Sequence, residues 1–190
     1  MKSHRFLLSI VLLLLSTLAF GQSDVQNSSD AQKSFTQLKT LAGTWQGTVT
    51  IDPPQSGMGN GTSLQISLRV TSRGNALAHE MHEAGKPDDP AKFDHPLTML
   101  YLDGDRLLLT HYCDAGNRPR MVATSSPDGK KVEFEYLDLS GSNQYGHMYH
   151  AVFTVIDADH HIEEWTYMMP GDKPVRARMD LKRVTTTAAK

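Results

Sequence analysis

The sequence predicts an all-β fold: an antiparallel up-and-down β-barrel of about ten strands with a short N-terminal helix. Three observations carry this expectation. From residue 44 onward apolar residues recur with a period near two. The apolar segments are short, and tight-turn chemistry separates many of them: Asp103-Gly104-Asp105, Ser126-Pro127-Asp128-Gly129, Asp157-Ala158-Asp159 and Pro170-Gly171-Asp172. A meander of this many strands favours closure, because closing the sheet removes its exposed edges.

Residues 1–21 read as a signal peptide. Lys2 and Arg5 precede an apolar run from Phe6 to Phe20, broken only by Ser9, Ser16 and Thr17, and Ala19-Phe20-Gly21 offers small residues before Gln22. The run falls short of the roughly 20 apolar residues of a membrane span. No Cys stands at the cleavage site to carry a lipid anchor. The expected location is therefore secreted or periplasmic, with no membrane span after cleavage. Residues 22–33, rich in Ser, Asn, Asp and Gln, read as a disordered leader, and 185–190 as a flexible tail. The barrel domain is expected over 34–184, a length that suits one core.

Phe35, Leu38 and Leu41 fall at helical spacing, with Ser34 as N-cap and Gly43 as terminator. Strands are predicted over 44–51, 62–70, 75–83, 96–102, 106–113, 120–125, 131–137, 148–156, 161–168 and 175–184. The alternation assigns faces. Val132, Phe134 and Tyr136 oppose Lys131, Glu133 and Glu135; Tyr149, Ala151, Phe153 and Val155 form a second apolar stripe. Val175, Ala177, Met179 and Leu181 form a third, opposite Arg176, Arg178, Asp180 and Lys182. The Gly- and Pro-bearing stretches 53–61 and 84–95 read as long loops at an entrance rim.

Nineteen basic and 21 acidic residues are interspersed, with no basic block, so nucleic acid is not an expected partner. A single cysteine, Cys113, excludes an internal disulfide, so the fold rests on packing and sheet hydrogen bonds.

His111 and Cys113, two apart on one strand, share a face with Leu107 and Leu109, which turns them inward. Such a pair serves as zinc or copper ligands, or as a thiolate–imidazole pair; the plain alternative is a hydrogen-bonded core histidine beside a buried thiol. No third member of a triad is visible, so no catalytic residue is assigned, and no cofactor is required. Asn117 lies on the turn that Gly116 lets bend. Arg120 follows it as a candidate clamp for a ligand carboxylate if it points inward, or as a solvated cation if it points out. His79 and Glu83 share a face and are expected to line the cavity near His111. The string His79-Glu80-Met81-His82-Glu83 is not a zinc-protease motif, since its histidines are three apart on a strand. Tyr149 clusters with His147, Gln144 and Tyr145 around Gly146, while Trp165 and Tyr167, if inward, add aromatic wall. His160-His161, at a turn beside acids, reads as solvated surface.

Leu41-Ala42-Gly43-Thr44-Trp45-Gln46-Gly47-Thr48 resembles the Gly-x-Trp start of the calycins: lipocalins, fatty-acid-binding proteins and nitrobindin-like barrels. The resemblance implies that Trp45, beside Gly43, plugs one barrel end under a basic residue of the last strand: Arg178, with Lys182 and Arg183 as the other choices. The Trp-x-Gly form and the strand count resemble the nitrobindin-like and fatty-acid-binding branch more than eight-stranded lipocalins. Leu108-Leu109-Thr110-His111-Tyr112-Cys113-Asp114-Ala115-Gly116-Asn117-Arg118-Pro119-Arg120-Met121, after Leu102-Asp103-Gly104-Asp105, resembles a stretch of calycin-like bacterial secreted proteins. Nitrobindin-like barrels hold haem through a histidine near the C-terminus; this chain has none after His161, so no such ligand carries over. The expected function is that of an exported barrel binding a small hydrophobic or amphipathic molecule through His111, Cys113, Arg120, His79, Asn117 and Tyr149, an acidic head group falling to Arg120. The alternatives are a metal or haem protein or an enzyme using His111 and Cys113, and a barrel filled by its own side chains.

Overall fold

A computed structural model describes residues 28–55, 59–87, 89–125 and 129–185. The expected signal peptide, half of the expected leader and nearly all of the tail lie outside the described residues. Helix α1 spans Asp30–Lys39. Ten strands follow: β1 Gly43–Asp52, β2 Ser63–Thr71, β3 Ala76–Glu83, β4 Leu97–Asp103, β5 Arg106–Tyr112, β6 Arg118–Ser125, β7 Lys131–Ser140, β8 His147–Asp157, β9 His160–Met169 and β10 Lys173–Arg183. Each strand pairs with its neighbours in sequence, and β1 pairs antiparallel with β10, so the sheet closes into the predicted up-and-down barrel.

The helix begins earlier than the apolar spacing indicates. Ser29, not Ser34, is the N-cap: its Oγ accepts from Gln32 N at 3.2 Å, and Gln32 Oε1 accepts from Ser29 N at 2.9 Å. This reciprocal capping box is a polar signal, invisible to a search for apolar periodicity. Residues 30–33, expected in the disordered leader, form its first turn, and Ser34 is buried. Phe35 and Leu38 on the helix, with Leu41 just beyond it, are buried against one end of the barrel. No helix among the described residues is long and apolar enough to cross a membrane.

That end is closed by Trp45. Its side chain is fully buried, its Nε1 donates to Leu41 O at 2.8 Å, and the Arg183 guanidinium lies 4.1 Å from its ring centroid. Arg183 also donates to Ala42 O at 2.8 Å and Ala158 O at 2.9 Å, tying helix exit, β1 and the β8–β9 turn together. The covering cation is thus Arg183, and Arg178 is corrected to a half-exposed position 3.9 Å from Glu164. Parity explains the difference: Val175, Met179 and Leu181 on β10 are buried, so Arg183 shares the inner face and Arg178 the outer.

Two glycines permit this closure. A Cβ at Gly43, where φ is 141°, would lie 2.4 Å from Arg183 Nη1. A Cβ at Gly47 would lie 2.1 Å from the backbone oxygen of Asp180, so β1 and β10 meet only because that position is bare. At the closed end the strands are joined by connections of at most five residues; the opposite end carries the longer segments 53–62, 84–96 and 141–146.

Gly47→Ala sets a methyl against main chain that cannot step aside. We expect a loss of about 2 kcal/mol or more of unfolding free energy in urea. An unchanged denaturation midpoint would show that the β1–β10 seam is not close-packed there.

Candidate functional site

Strand β9 presents His161, Glu163, Trp165 and Tyr167 at alternate positions, and the first three are buried. Glu163 is fully buried, and its carboxylate accepts three N–H groups. His79 Nε2 donates to Oε2 at 2.9 Å, Trp165 Nε1 to the same oxygen at 3.0 Å, and His161 Nε2 to Oε1 at 3.0 Å. Burial alone would push the carboxyl pKa up; the opposing charge of His79 and the hydrogen bonds from His161 and His79 outweigh it and hold the group well below the usual carboxylate range. Towards the closed end, the His161 ring meets Trp45 edge-on at 4.2 Å between centroids.

On the other side of Trp165 lies a second polar pair. His111 Nδ1 and Thr98 Oγ1 share a 2.8 Å hydrogen bond, and both residues are buried. The Trp165 ring sits 5.6 Å from the His79 and His111 rings alike. Burial, followed by the neighbouring His79, lowers the His111 pKa to about 3, so the imidazole is neutral at any physiological pH. No other hydrogen bond to His111 is found among the described residues, so Nε2 is the ring atom free for a ligand.

The structure therefore brings His79 and His111 together around Trp165, as expected, and separates the other candidates. Cys113 lies just beyond β5, partly buried, where burial pushes its thiol pKa up. It lines a cleft of about 460 Å³ at the rim with Phe93, Leu97 and Tyr112 rather than joining His111. Arg120 is on the outer wall with 44 % of its side chain exposed, joined through both nitrogens to Asp138, with Nε to Oδ1 at 2.8 Å. Asn117, Pro119 and Met121 take the inner face of β6, which leaves Arg118 and Arg120 outside; the expected inward clamp is corrected accordingly. Asn117 acts as a clasp: Nδ2 donates to Ser142 O at 2.8 Å and Gly146 O at 2.7 Å, binding two rim loops together. Tyr149 sits at a β8 bulge, 37 % exposed and stacked on Tyr136 at 5.4 Å. Glu83 is at the end of β3, half-exposed, and faces Lys86.

His161 is buried rather than solvated, and Glu163 and Thr98 were not singled out by sequence reasoning. The signal was parity: if Trp165 faces inward, Glu163 and His161 must do so too. The charged Glu163 hid it, since strand readings assign charges outward.

The lower interior is filled, with Trp45, Ile66, Leu77, Leu109, Phe134 and Phe153 fully buried. The upper interior is packed less evenly: Ile51, Val175 and Asn117 are buried there. Leu64, Met81, Met148, Met169 and Ala177 pack on the core yet are only partly buried. Ala177 stands in register between Ile51 and Trp165, a mid-barrel row in which its small side chain leaves room. Tyr167, one step above Trp165, has its phenol pKa pushed up to about 12 by burial and by the neighbouring Cys113, Asp114 and Asp94. His111, Thr98 and Trp165 lie beneath these side chains and are themselves buried.

Among solved structures the chain is similar to Rv2717c from M. tuberculosis, with a TM-score of 0.59 at 12 % sequence identity, over 80 % of this chain and 98 % of that one. A DUF3598-family protein from Nostoc punctiforme aligns over 80 % of this chain and 98 % of its own at 9 % identity, but its TM-score of 0.24 carries no argument. No protein-family model and no curated protein matches the sequence. The likeness to Rv2717c shows the barrel fold.

Two outcomes test the buried network. Glu163→Ala leaves three buried N–H donors without an acceptor and is expected to cost about 3–5 kcal/mol in chemical denaturation; a loss well under 1 kcal/mol would contradict the geometry. His111 is neutral in the folded chain down to about pH 3, whereas in the unfolded chain it takes up a proton below about pH 6.5. Its contribution to stability is complete above pH 6.5 and is lost as pH falls. Between pH 7 and pH 5 wild type is expected to lose about 2 kcal/mol more than His111→Gln, from about 1.4 kcal/mol per pH unit. Parallel pH profiles would refute the burial of a neutral imidazole.

Proposed function

We propose that the chain is an exported carrier of the calycin kind, holding a small, mostly apolar ligand in the upper half of its barrel. The observation that carries this reading is the partial exposure of Leu64, Met81, Met148 and Met169, inward side chains near the long-loop end. Met81, Met148 and Met169 give the upper wall a deformable apolar lining, suited to a ligand of adaptable shape. The N-terminal 21 residues support export, and the Gly-x-Trp start with its Arg183 cover supports the calycin assignment.

The ligand's polar end is set by the floor. With Arg120 outside and paired to Asp138, the floor lacks the guanidinium that would clamp an acidic head group. Neutral His111 offers Nε2 to a hydroxyl or a carbonyl instead, and the ionised Glu163 beneath it disfavours a second negative charge. A long-chain alcohol, ketone or ester fits this pattern. The reading needs no catalytic step.

One observation favours a second reading. With Nδ1 engaged by Thr98, Nε2 of a neutral His111 is the atom a haem iron or a metal ion would take. The raised pKa of Cys113 makes it a poor partner in such a site, since the thiolate is the ligating form.

Titration with a long-chain alcohol, followed by tryptophan emission, tests the proposal. Saturable binding is expected, and Ala177→Phe, which fills the upper interior, should weaken it about tenfold or more (about 1.4 kcal/mol) while the melting temperature stays close to wild type. Binding indifferent to Ala177→Phe and to His111→Phe would overturn the assignment. A Soret band on haem addition that disappears in His111→Ala would shift it to the second reading.

A further inference from the structure

The outer wall carries a cluster that the ligand-binding reading does not use. Glu133 and Glu135 project from β7 and His150 from β8, and Glu135 and His150 are a directly opposed cross-strand pair. His150 Nε2 lies 2.9 Å from Glu133 Oε1 and 3.5 Å from Glu135 Oε1, and one ligating atom from each residue lies within 4.8 Å of the others. Among the described residues this is the group of three His, Cys, Asp or Glu side chains so gathered.

The geometry points to a divalent transition-metal site on the β7–β8 wall, with His150 Nε2 and one oxygen each of Glu133 and Glu135 as ligands to zinc. Zinc bonds of about 2.0–2.2 Å to nitrogen and oxygen set neighbouring ligand atoms about 3.3 Å apart in a tetrahedron. The two observed separations from Nε2 bracket that figure, so small side-chain movements complete the site. The rigid sheet fixes all three Cα positions, so little ordering accompanies binding. Lys131 Nζ lies 3.0 Å from Glu133 Oε2, the oxygen that does not face His150, and so orients the carboxylate with Oε1 towards the ion. The imidazole favours zinc, nickel or copper over magnesium and calcium, which prefer all-oxygen shells. His150 and Glu133 are only 23 % and 33 % exposed, which holds their rotamers, while Glu135 at 55 % leaves the fourth position open to water. A neutral imidazole offers Nε2 to the ion in the tautomer that carries the ring proton on Nδ1.

Isothermal titration of the metal-free mature chain with zinc chloride tests this, alongside His150→Ala and Glu135→Gln. One zinc per chain is expected. Each variant should weaken it about tenfold or more, at least as much as loss of an orienting neighbour does, with an unchanged circular dichroism spectrum. Zinc should raise the melting temperature of wild type and not of His150→Ala. Absence of saturable binding overturns the site. So does zinc binding that survives both variants, including binding abolished by His111→Ala, which would place the ion inside the barrel.

Discussion

A carboxylate at the centre of a barrel has to be answered by hydrogen-bond donors, and Glu163 is answered by three. Two of them, His161 and Trp165, lie on its own strand; the third, His79, reaches across the interior from β3, which is not a neighbour of β9 in the sheet. This contact fixes the spacing of opposite walls. A barrel packed only with leucine and phenylalanine tolerates many near-equivalent arrangements, whereas a buried charge with directional partners accepts few. The rest of the molecule hangs on this centre. His161 passes the constraint to Trp45 and Arg183, which close one end; Trp165 passes it to His111 and Thr98.

The two ends differ because their connections differ. Helix α1 and the Trp45 plug close one end, while the longest connections gather at the other. In the proposed carrier, the filled base and the methionine-lined upper wall differ in residue size along each strand. Ala177 beside Trp165 is the clearest case, a small residue next to the largest one in the same row.

The strand order and nearly every strand boundary were legible because period-two alternation survives on most strands and turn residues bound the others, such as the continuously buried β5. The failures share a cause. Apolar periodicity cannot see a polar capping box, so the start of α1 was missed. It ranks charged residues outward, so Glu163 and His161 were passed over although their parity matched that of Trp165. The parity of β10 already set Arg183 with Val175, Met179 and Leu181 and Arg178 opposite them, but it was not applied to the basic residue that covers Trp45. A bulge resets the count, which is why Tyr149 left the apolar stripe it was expected to share with Ala151. Arg120 was undecided from sequence, and the pairing of β6 with β7 that sets it opposite Asp138 is a tertiary fact.

The most direct measurement of the central claim is native mass spectrometry of the mature chain, isolated without detergent from a host that exports it. The account predicts a mass above the polypeptide, released on denaturation as a small apolar molecule with a neutral polar end. A bare polypeptide mass that persists after incubation with long-chain alcohols would contradict it, and would mean that the barrel is filled by its own side chains.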